Sequence, residues 1–442
     1  MKIAFTTLGC KLNYAETSTY QRGFQDAGWE VVPWTAPADV YLINTCAVTE
    51  TAEKKSRNLI RRAHKTSPAA RIVVTGCYAQ LRKEQLQTID GVWKVFGATE
   101  KSHILTEVAE GIASETVGKA DPSHRSAAGP SLLQGRGWPW VSEAIPSSTS
   151  NIMGAYSSGE RTRSFLKVQD GCDNFCAYCT VPYARGRSRS LPICECVKMA
   201  QAIAAEGVKE VVLTGVNTGD FGRTTGESFL DLLKALNEVE GIERYRISSI
   251  EPNLITPEIV DWIASGTKFQ RHFHIPLQSG SDTLLRRVGR RYDTALFASR
   301  IDYIRQALER PGEPLVFFGI DVIVGLPGET EELFMETYNF LKERIRPAFI
   351  HVFPYSRRPG TRAAEWKDQV QDSLKTERVA RLEALCEELH QDFLKANKGL
   401  STTVLWESSV KNGMMGGYTS NYIRVEEPYD KAKVNTIENI II

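Results

Sequence analysis

The sequence predicts an α/β protein in three parts: an N-terminal parallel α/β domain, a central partial (βα)6 barrel and a small C-terminal all-β domain. Strand-length apolar runs alternate with helical patterns in two successive series, and short β-branched runs follow them. The 442 residues are 42% hydrophobic and 24% charged, typical of globular chains with about three domains. Since 54 Lys and Arg balance 53 Asp and Glu, a polyanionic partner would need local basic patches.

The first series begins with the strand KIAFTTLG and continues through DVYLINT, RIVVTG and VWKVFG. Helical patterns separate these strands near 15–27 and 49–65, and another follows at 102–112. We therefore place the first domain at 1–112. Residues 113–162 are rich in Ser, Gly, Ala and Pro, with Trp138 and Trp140 as their large apolar side chains. This composition predicts a linker or an irregular cover.

The second series predicts a partial barrel over 163–372. Its six strands are FLKVQDG, VKEVVLTG, RYRISSIEP, FHIPLQSG, FGIDVIVGL and FIHVFPYS, with helical stretches that include 192–206 and 331–344. A charged helix at 373–398 then leads into 399–442, where STTVLWES, GGYTSNYIRV and KVNTIENIII predict a small β domain.

A compact group of cysteines follows the first barrel strand. Cys172, Cys176 and Cys179 have the spacing C-x-x-x-C-x-x-C, which is short enough for all three to converge on one site. Three thiolates can hold three irons of a 4Fe-4S cluster and leave the fourth iron open. A zinc knuckle is the alternative, but zinc prefers four ligands, and no partner pair of Cys or His lies nearby in the sequence.

A second group of cysteines is dispersed in the first domain. Cys10, Cys46 and Cys77 each follow a predicted strand, in TTLGC, LINTC and VVTGC. Because the carboxyl ends of parallel strands share one edge of a sheet, these thiols are predicted to meet there. Three unrelated buried cysteines are the alternative. The remaining cysteines are interpreted as ordinary thiols: Cys194, Cys196 and Cys386.

The motif C-x-x-x-C-x-x-C followed by TVPYARGRSRS resembles the radical S-adenosylmethionine (SAM) superfamily, and specifically its methylthiotransferases. The three-cysteine domain before it and a C-terminal module resembling a TRAM domain match their layout. Within this family, TLGCKLNYAET, NTCAVTETAEKKSRNLIRR and QDGCDNFCAYCTVPYARGRSRS are most similar to enzymes that modify N6-threonylcarbamoyladenosine in tRNA. The tail departs from the pattern, since 399–442 is short for a closed TRAM barrel.

The resemblance implies methylthiolation of C2 of this adenosine next to the anticodon, by a radical mechanism that uses two SAM molecules and two 4Fe-4S clusters. It implies that Cys172, Cys176 and Cys179 hold the cluster that binds SAM. The other trio, Cys10, Cys46 and Cys77, would hold an auxiliary cluster that supplies the methylthio group. The alternatives are a sibling enzyme acting on isopentenyladenosine in tRNA or on a ribosomal-protein aspartate, and a non-catalytic zinc- and RNA-binding protein.

Further candidate residues lie at the ends of the barrel strands, where chemistry is expected. Eight candidates for SAM binding are Gly215, Asn217, Glu251, Gln278, Ser279, Gly280, Gly325 and Gly328. For each of them a strand-end turn without a ligand is the alternative. Basic clusters follow the same strands and include Arg286, Arg287, Arg290 and Arg291. Arg185 and Arg187 are candidates for phosphate contacts, and Arg357 and Arg358 for the threonylcarbamoyl carboxylate.

The expected partners are a tRNA anticodon stem-loop, an electron donor such as a flavodoxin or ferredoxin, and a sulfur donor that rebuilds the auxiliary cluster. We expect a cytoplasmic monomer that does not contact a membrane. The most apolar stretch, at 315–326, is much shorter than the ~20 residues that span a bilayer. The apolar run in MKIAFTTLGC is also too short for a secretion signal.

Overall fold

The computed structural model describes residues 1–117, 152–159 and 162–442, and this part of the chain forms two compact units. The first unit contains the described residues within 1–157, 170–173 and 179–189, and the second contains those within 158–169, 174–178 and 190–442. Trp138, Trp140 and most of the predicted linker lie outside the described residues.

The first unit is built on a parallel sheet, as the sequence predicts. Its strands are β1 (Lys2–Thr7), β2 (Glu30–Val32), β3 (Val40–Thr45), β4 (Arg71–Gly76) and β5 (Val92–Val95), in the spatial order β2-β1-β3-β4-β5. Its helices are α1 (Lys11–Asp26), α2 (Glu50–Thr66), α3 (Cys77–Leu81), α4 (Lys83–Gln87) and α5 (Ile104–Val117), with a 3₁₀ turn at Lys101–His103. The unit also includes the short strand β6 (Ala155–Tyr156) and the helix α6 (Val181–Arg185).

Strand β3 lies in the centre of this sheet, and all six of its residues are buried. Tyr41 and Ile43 pack into the core on one face, while Val40 and Leu42 pack into the core on the other. Burial on both faces explains why the strand is a continuous apolar run and not an alternating one. The predicted rhythm of strands and helices is therefore confirmed.

The second unit contains the six predicted barrel strands in two parallel groups. These strands are β7 (Arg163–Lys167), β10 (Glu210–Thr214), β11 (Arg244–Ile247), β12 (His272–Gln278), β13 (Phe317–Val324) and β14 (Phe349–Pro354), with the orders β11-β10-β7 and β12-β13-β14. The backbone of Ile250, just after β11, donates to the carbonyl of His274 in β12 at 3.1 Å, which joins the two groups. Two further strands are short, β8 (Gln169–Asp170) and β9 (Arg189–Ser190).

Helices follow the barrel strands as predicted. They are α7 (Ile193–Ala205), α8 (Phe229–Asn237), α9 (Pro257–Ala264), α10 (Asp282–Val288), α11 (Thr294–Leu308), α12 (Glu331–Asn339), α13 (Arg362–Glu365) and α14 (Asp372–Asn397). Helix α12 continues as a π-helical segment, Phe340–Ile345. Short 3₁₀ turns lie at Thr218–Asp220, Pro252–Leu254 and Lys431–Lys433. None of the helices in the described part of the chain is long and apolar enough to cross a membrane.

The C-terminal residues form an all-β domain, as predicted, and its strands are antiparallel. Its strands are β15 (Ser401–Lys411), β16 (Met414–Thr419), β17 (Arg424–Pro428) and β18 (Ile437–Ile441), in the order β17-β16-β15-β18. The core of the sheet contains Val404, Trp406 and Met415. Strands β17 and β18 lie at its two edges, so the short tail forms an open sheet.

Candidate active site

The dispersed cysteines follow three adjacent strands of the first unit. Cys10 comes after β1, Cys46 after β3 and Cys77 after β4. A Cβ atom placed on Gly9 would lie only 3.0 Å from Cys46 Sγ, so the chain next to Cys10 touches Cys46. Burial, together with the neighbouring Cys77, raises the pKa of Cys46 to about 12, and Cys10 adds to this effect. The strand order therefore brings the three cysteines to the same edge of the sheet.

The glycines that precede Cys10 and Cys77 are required by the backbone. Gly9 has a φ of +104° and Gly76 a φ of +100°, values that side-chain-bearing residues rarely adopt. A Cβ atom on Gly76 would also lie 2.3 Å from the carbonyl oxygen of Thr45. The two glycines thus let β1 and β4 turn sharply and direct the next residue, a cysteine, into the same region.

A buried network of charges lies beside these thiols. Arg185 donates to Asp170 at 2.8 Å and to Glu16 at 3.3 Å, and Lys101 donates to Glu16 at 2.7 Å. Burial raises the pKa of Cys77, and Arg185 and Lys101 partly offset this increase. The two cations would therefore favour thiolates, which are the form that binds metal. Sequence reasoning missed Glu16 and Lys101, because a single charged residue on a helix or in a turn resembles a solvated residue.

The predicted phosphate ligands Arg185 and Arg187 have different environments. Only 2% of Arg185 is exposed, so a phosphate contact from it would require its buried ion pairs to open. The side chain of Arg187 is 57% exposed and lies 3.5 Å from Asp173. Arg187 is therefore the more accessible of the two, and both contacts remain predictions.

The compact motif forms a tight loop after β8. Cys172 and Cys176 are buried, while Cys179 is half-buried. Phe175 has a φ of +48°, which is uncommon for a residue with a large side chain and is often found at functional sites. Cys172 and Cys179 belong to the first unit and Cys176 to the second. The amide of Val181 donates to Cys179 Sγ at 3.4 Å, which would stabilise a thiolate there.

Within the second unit, Cys176 has an arginine as its neighbour. Arg290 donates to Cys176 Sγ at 3.2 Å and to Glu251, and its side chain is only 6% exposed. Glu251 also accepts from Asn174 at 2.7 Å. The structure thus connects a motif residue to the predicted strand-end residue Glu251. The sequence places Arg290 in a basic cluster, and nothing in that pattern separates it from its exposed neighbours.

Asn217 is another predicted cofactor residue, and it is joined to the same network. Its Oδ1 accepts from the amide of Glu251 at 3.3 Å. Its Nδ2 is buried, and no atom of the described residues accepts a hydrogen bond from it. A buried donor without an acceptor is costly, so this atom is suited to a ligand. Gly215 lies two residues earlier, directly after β10.

The remaining strand-end candidates make contacts within the barrel. Gln278 ends β12 with a φ of +69°, and Ser279 Oγ lies 3.2 Å from Thr337 Oγ1. The amides of three predicted glycines already have acceptors in the protein: Gly280 donates to Thr337, Gly325 to Glu329 and Gly328 to Asp368. An adenine contact from these glycines would therefore use their Cα or carbonyl atoms, and it remains a prediction.

The predicted carboxylate ligands Arg357 and Arg358 follow β14. Arg357 is exposed, and its Nε donates to the carbonyl of Ala364 at 2.8 Å, which leaves the rest of the guanidinium accessible. Arg358 is buried. Only Arg357 therefore presents its side chain to solvent, and the role of both residues in substrate binding remains a prediction.

Two family models match the chain. The model described as "Uncharacterized protein family UPF0004" matches residues 2–97, and the Radical SAM superfamily matches residues 166–341. These segments contain all six cysteines of the two trios.

Curated relatives match almost the whole chain. A Bacillus subtilis protein named threonylcarbamoyladenosine tRNA methylthiotransferase MtaB is 41% identical, covering 96% of this chain and 89% of the relative. A protein of the same name from Aquifex aeolicus is 36% identical and covers 96% of each chain. A Geobacter sulfurreducens protein named tRNA-2-methylthio-N(6)-dimethylallyladenosine synthase is 33% identical, covering 99% of this chain and 93% of the relative.

Solved structures share the fold. The radical S-adenosylmethionine methyltransferase TsrM from Kitasatospora setae superposes with a TM-score of 0.55 at 14% identity, covering 82% of this chain and 77% of the other. The curated relatives match this chain across both of the segments that the two family models identify. The chain therefore belongs to the radical SAM methylthiotransferase family, whose members are enzymes that transfer a sulfur-containing group.

Proposed function

We propose that this enzyme methylthiolates C2 of N6-threonylcarbamoyladenosine next to the anticodon of tRNA, using two 4Fe-4S clusters and two SAM molecules. One observation carries the proposal. The chain has both thiol trios of the two-cluster layout within a sequence that is 41% identical to the Bacillus subtilis relative of that name.

Two groups of three cysteines would each hold an iron-sulfur cluster. Cys172, Cys176 and Cys179 would hold one, and the spacing of the motif leaves its fourth iron for SAM. Cys10, Cys46 and Cys77, at one edge of the first sheet, would hold the other. When bound, these groups would supply the electron that cleaves SAM to methionine and a 5′-deoxyadenosyl radical, and the sulfur that is transferred.

Residues of the chain would bind these groups and offset their negative charge. Arg290 would offset negative charge at Cys176, while Arg185 and Lys101 would do so beside Cys77. The buried Nδ2 of Asn217 could donate to a carboxylate or carbonyl oxygen of a bound ligand. Arg357 and Arg358 would bind the threonylcarbamoyl carboxylate, because a planar guanidinium suits bidentate contact.

The substrate assignment follows relatives named for threonylcarbamoyladenosine, which are 41%, 36% and 34% identical to this chain. A sibling activity on isopentenyladenosine is the second candidate, since relatives named for the dimethylallyl substrate are 32% and 33% identical. The partners in the proposed reaction are a tRNA anticodon stem-loop, a flavodoxin or ferredoxin as electron donor, and a sulfur donor. We expect the proposed reaction to take place in the cytoplasm, where its tRNA substrate would be available.

Mass spectrometry of nucleosides tests the proposal. Purified tRNA is incubated anaerobically with the reconstituted enzyme, SAM and a reductant, and then digested. We expect the 2-methylthio derivative of N6-threonylcarbamoyladenosine. Methylthiolation of isopentenyladenosine alone would instead establish the sibling activity. Zinc without acid-labile sulfide, and no modified nucleoside, would favour the zinc- and RNA-binding alternative.

The variant Cys176→Ala tests the role of the compact motif. It should abolish release of 5′-deoxyadenosine, because two thiolates cannot retain the cluster that binds SAM. Cys194→Ala is the matched control, since Cys194 is exposed and belongs to neither trio. Continued formation of 5′-deoxyadenosine by Cys176→Ala would refute the assignment.

A further inference from the structure

Three potential metal ligands meet on adjacent strands of the barrel. His274 lies on β12, Asp321 on β13 and His351 on β14, and Asp321 is paired directly with His351 in the parallel register. One ligand atom from each of the three residues lies within 4.8 Å of those of the other two. His274 Nε2 is 2.7 Å from Asp321 Oδ1, and the two imidazole centroids are 5.1 Å apart.

A glycine lies beside the two imidazoles. Gly319 is the register partner of His274, and a Cβ atom placed on it would lie 3.8 Å from His351 Nε2 and 4.0 Å from His274 Cδ2. Phe349 contacts His351 on one side, with ring centroids 4.8 Å apart. The three ligand residues are half-buried. Such a partly desolvated position strengthens the attraction between a carboxylate and a cation.

The charge of Asp321 is balanced differently from that of other carboxylates in this unit. Glu210, Glu251 and Glu329 are each paired with an arginine. Within the described ranges, Asp321 has no ion pair with lysine or arginine, and its partner is His274. A half-buried carboxylate that has no lysine or arginine as its partner is a suitable ligand for a metal cation.

We propose that His274, Asp321 and His351 bind one divalent transition-metal ion of the zinc class. Two imidazole nitrogens and one carboxylate oxygen form a common donor set for such ions. Tetrahedral bonds of roughly 2.0–2.1 Å separate ligand atoms by about 3.3 Å. The 2.7 Å pair would open slightly and the wider pairs would close around the ion. A fourth position would accept water or an anionic oxygen of a ligand.

Zinc binding to the enzyme with its full iron and sulfide content tests this site. We would measure Zn²⁺ by equilibrium dialysis against a competing chelator, with iron and sulfide assayed in parallel. The wild-type protein should bind one more Zn²⁺ than Asp321→Asn and His351→Gln. These variants should lose at least the roughly 10–100-fold in affinity that the loss of an outer-sphere partner costs. His272→Gln is the matched control, since His272 lies on the same strand outside the trio.

X-ray absorption at the zinc edge supplies a readout that needs no variant. The spectrum of the wild-type protein should show nitrogen and oxygen ligands at about 2.0–2.1 Å, with imidazole scattering. Sulfur ligands near 2.3 Å would place the zinc at cysteines and overturn the proposal. Equal zinc affinity in wild type and both variants would also overturn it. Neither measurement uses SAM or tRNA, so the outcome is independent of the proposed methylthiolation.

Discussion

The contacts of Arg290 indicate what this residue does. Its guanidinium donates to Cys176 Sγ and to Glu251, and it is almost inaccessible to solvent. A buried cation bonded to a cysteine sulfur stabilises extra negative charge on that sulfur and on any metal it binds. Net charge, hydrogen bonds to the sulfurs and solvent exposure all help to set the reduction potential of an iron-sulfur cluster.

Replacing Arg290 with glutamine should make the reduction potential of the cluster at Cys172, Cys176 and Cys179 more negative. Loss of the positive charge disfavours the reduced, more negative form. A shift on the order of 60 mV corresponds to a tenfold change in this one-electron equilibrium. Potentiometric titration followed by EPR measures the shift, with Cys46→Ala as background so that one cluster is observed.

Arg286→Gln is the control for this substitution. Arg286 is exposed and lies on α10, shortly before Arg290. Its loss should leave the potential unchanged. Equal potentials for Arg290→Gln and the parent protein would show that the contact with Cys176 does not influence the cluster.

At the scale of secondary-structure elements, the order of the strands creates the N-terminal thiol site. Strands β1, β3 and β4 are neighbours, so residues far apart in sequence follow one edge of the sheet. The same burial that makes β3 stable also surrounds Cys46 and Cys77 with protein, which raises the pKa of both thiols. Burial therefore makes the formation of a thiolate at these two positions more costly.

Cluster assembly on Cys10, Cys46 and Cys77 should become more favourable as the pH rises. Metal binding requires thiolates, and a raised pKa increases the free energy of ionisation at low pH. We expect more iron to be retained at about pH 8.5 than at about pH 6.5. The measurement is iron and sulfide content of Cys176→Ala after reconstitution across this range. A pH-independent iron content would contradict the expectation.

The C-terminal sheet is attached to the beginnings of barrel strands by a buried ionic network. Glu210 at the start of β10 pairs with Arg246 at 2.8 Å, and Arg246 also donates to the carbonyl of Thr419 at 2.8 Å. Burial raises the pKa of Glu210, but Arg246 and Arg163 outweigh it and hold the pKa below its ordinary value. The carboxylate therefore remains charged, and its stabilisation is lost only as the pH falls through this lowered pKa.

The substitution Glu210→Gln should lower the free energy of unfolding by about 3–5 kcal/mol, because it leaves buried arginines without their counter-ion. Urea unfolding followed by circular dichroism measures the change. Glu243→Gln is the control, since Glu243 pairs with Lys209 at the surface and should contribute at most ~1 kcal/mol. A similar small effect for both variants would mean that Glu210 does not stabilise this attachment.

Two C-terminal tyrosines pack against arginines of this network. Tyr422 packs against His272 and Phe317 of the barrel, and its ring is stacked with Tyr418. Arg163 lies over the Tyr418 ring at 4.4 Å. Residues of this type can stack on unpaired bases or fill a core, and the structure favours packing for Tyr422.

At the scale of the whole molecule, the two thiol trios should behave as separate iron sites. Cys46→Ala should remove about half of the iron and sulfide of the wild-type protein, since each proposed cluster has about four irons. It should still release 5′-deoxyadenosine but form no methylthiolated nucleoside. Iron, sulfide and nucleoside analysis of one preparation measures all three. Normal methylthiolation by Cys46→Ala would remove that thiol from the mechanism.

Local patterns in the sequence were sufficient to predict the secondary-structure elements and the positions of the cysteines relative to them. Apolar runs and helical periodicity predict the parallel sheet, the six barrel strands and the C-terminal strands, because each depends on neighbouring residues. The position of a cysteine after a strand also follows from the chain alone, as for Cys10, Cys46 and Cys77.

Contacts between residues that are far apart in the sequence depend on which strands lie side by side, and only the tertiary structure shows this. Arg185 and Arg290 have similar basic surroundings in sequence, yet one is bonded to Glu16 and Asp170 and the other to Cys176. His274, Asp321 and His351 come together through the order and register of β12, β13 and β14. The physical reason is that burial and electrostatic pairing depend on distance in space, which local periodicity does not encode.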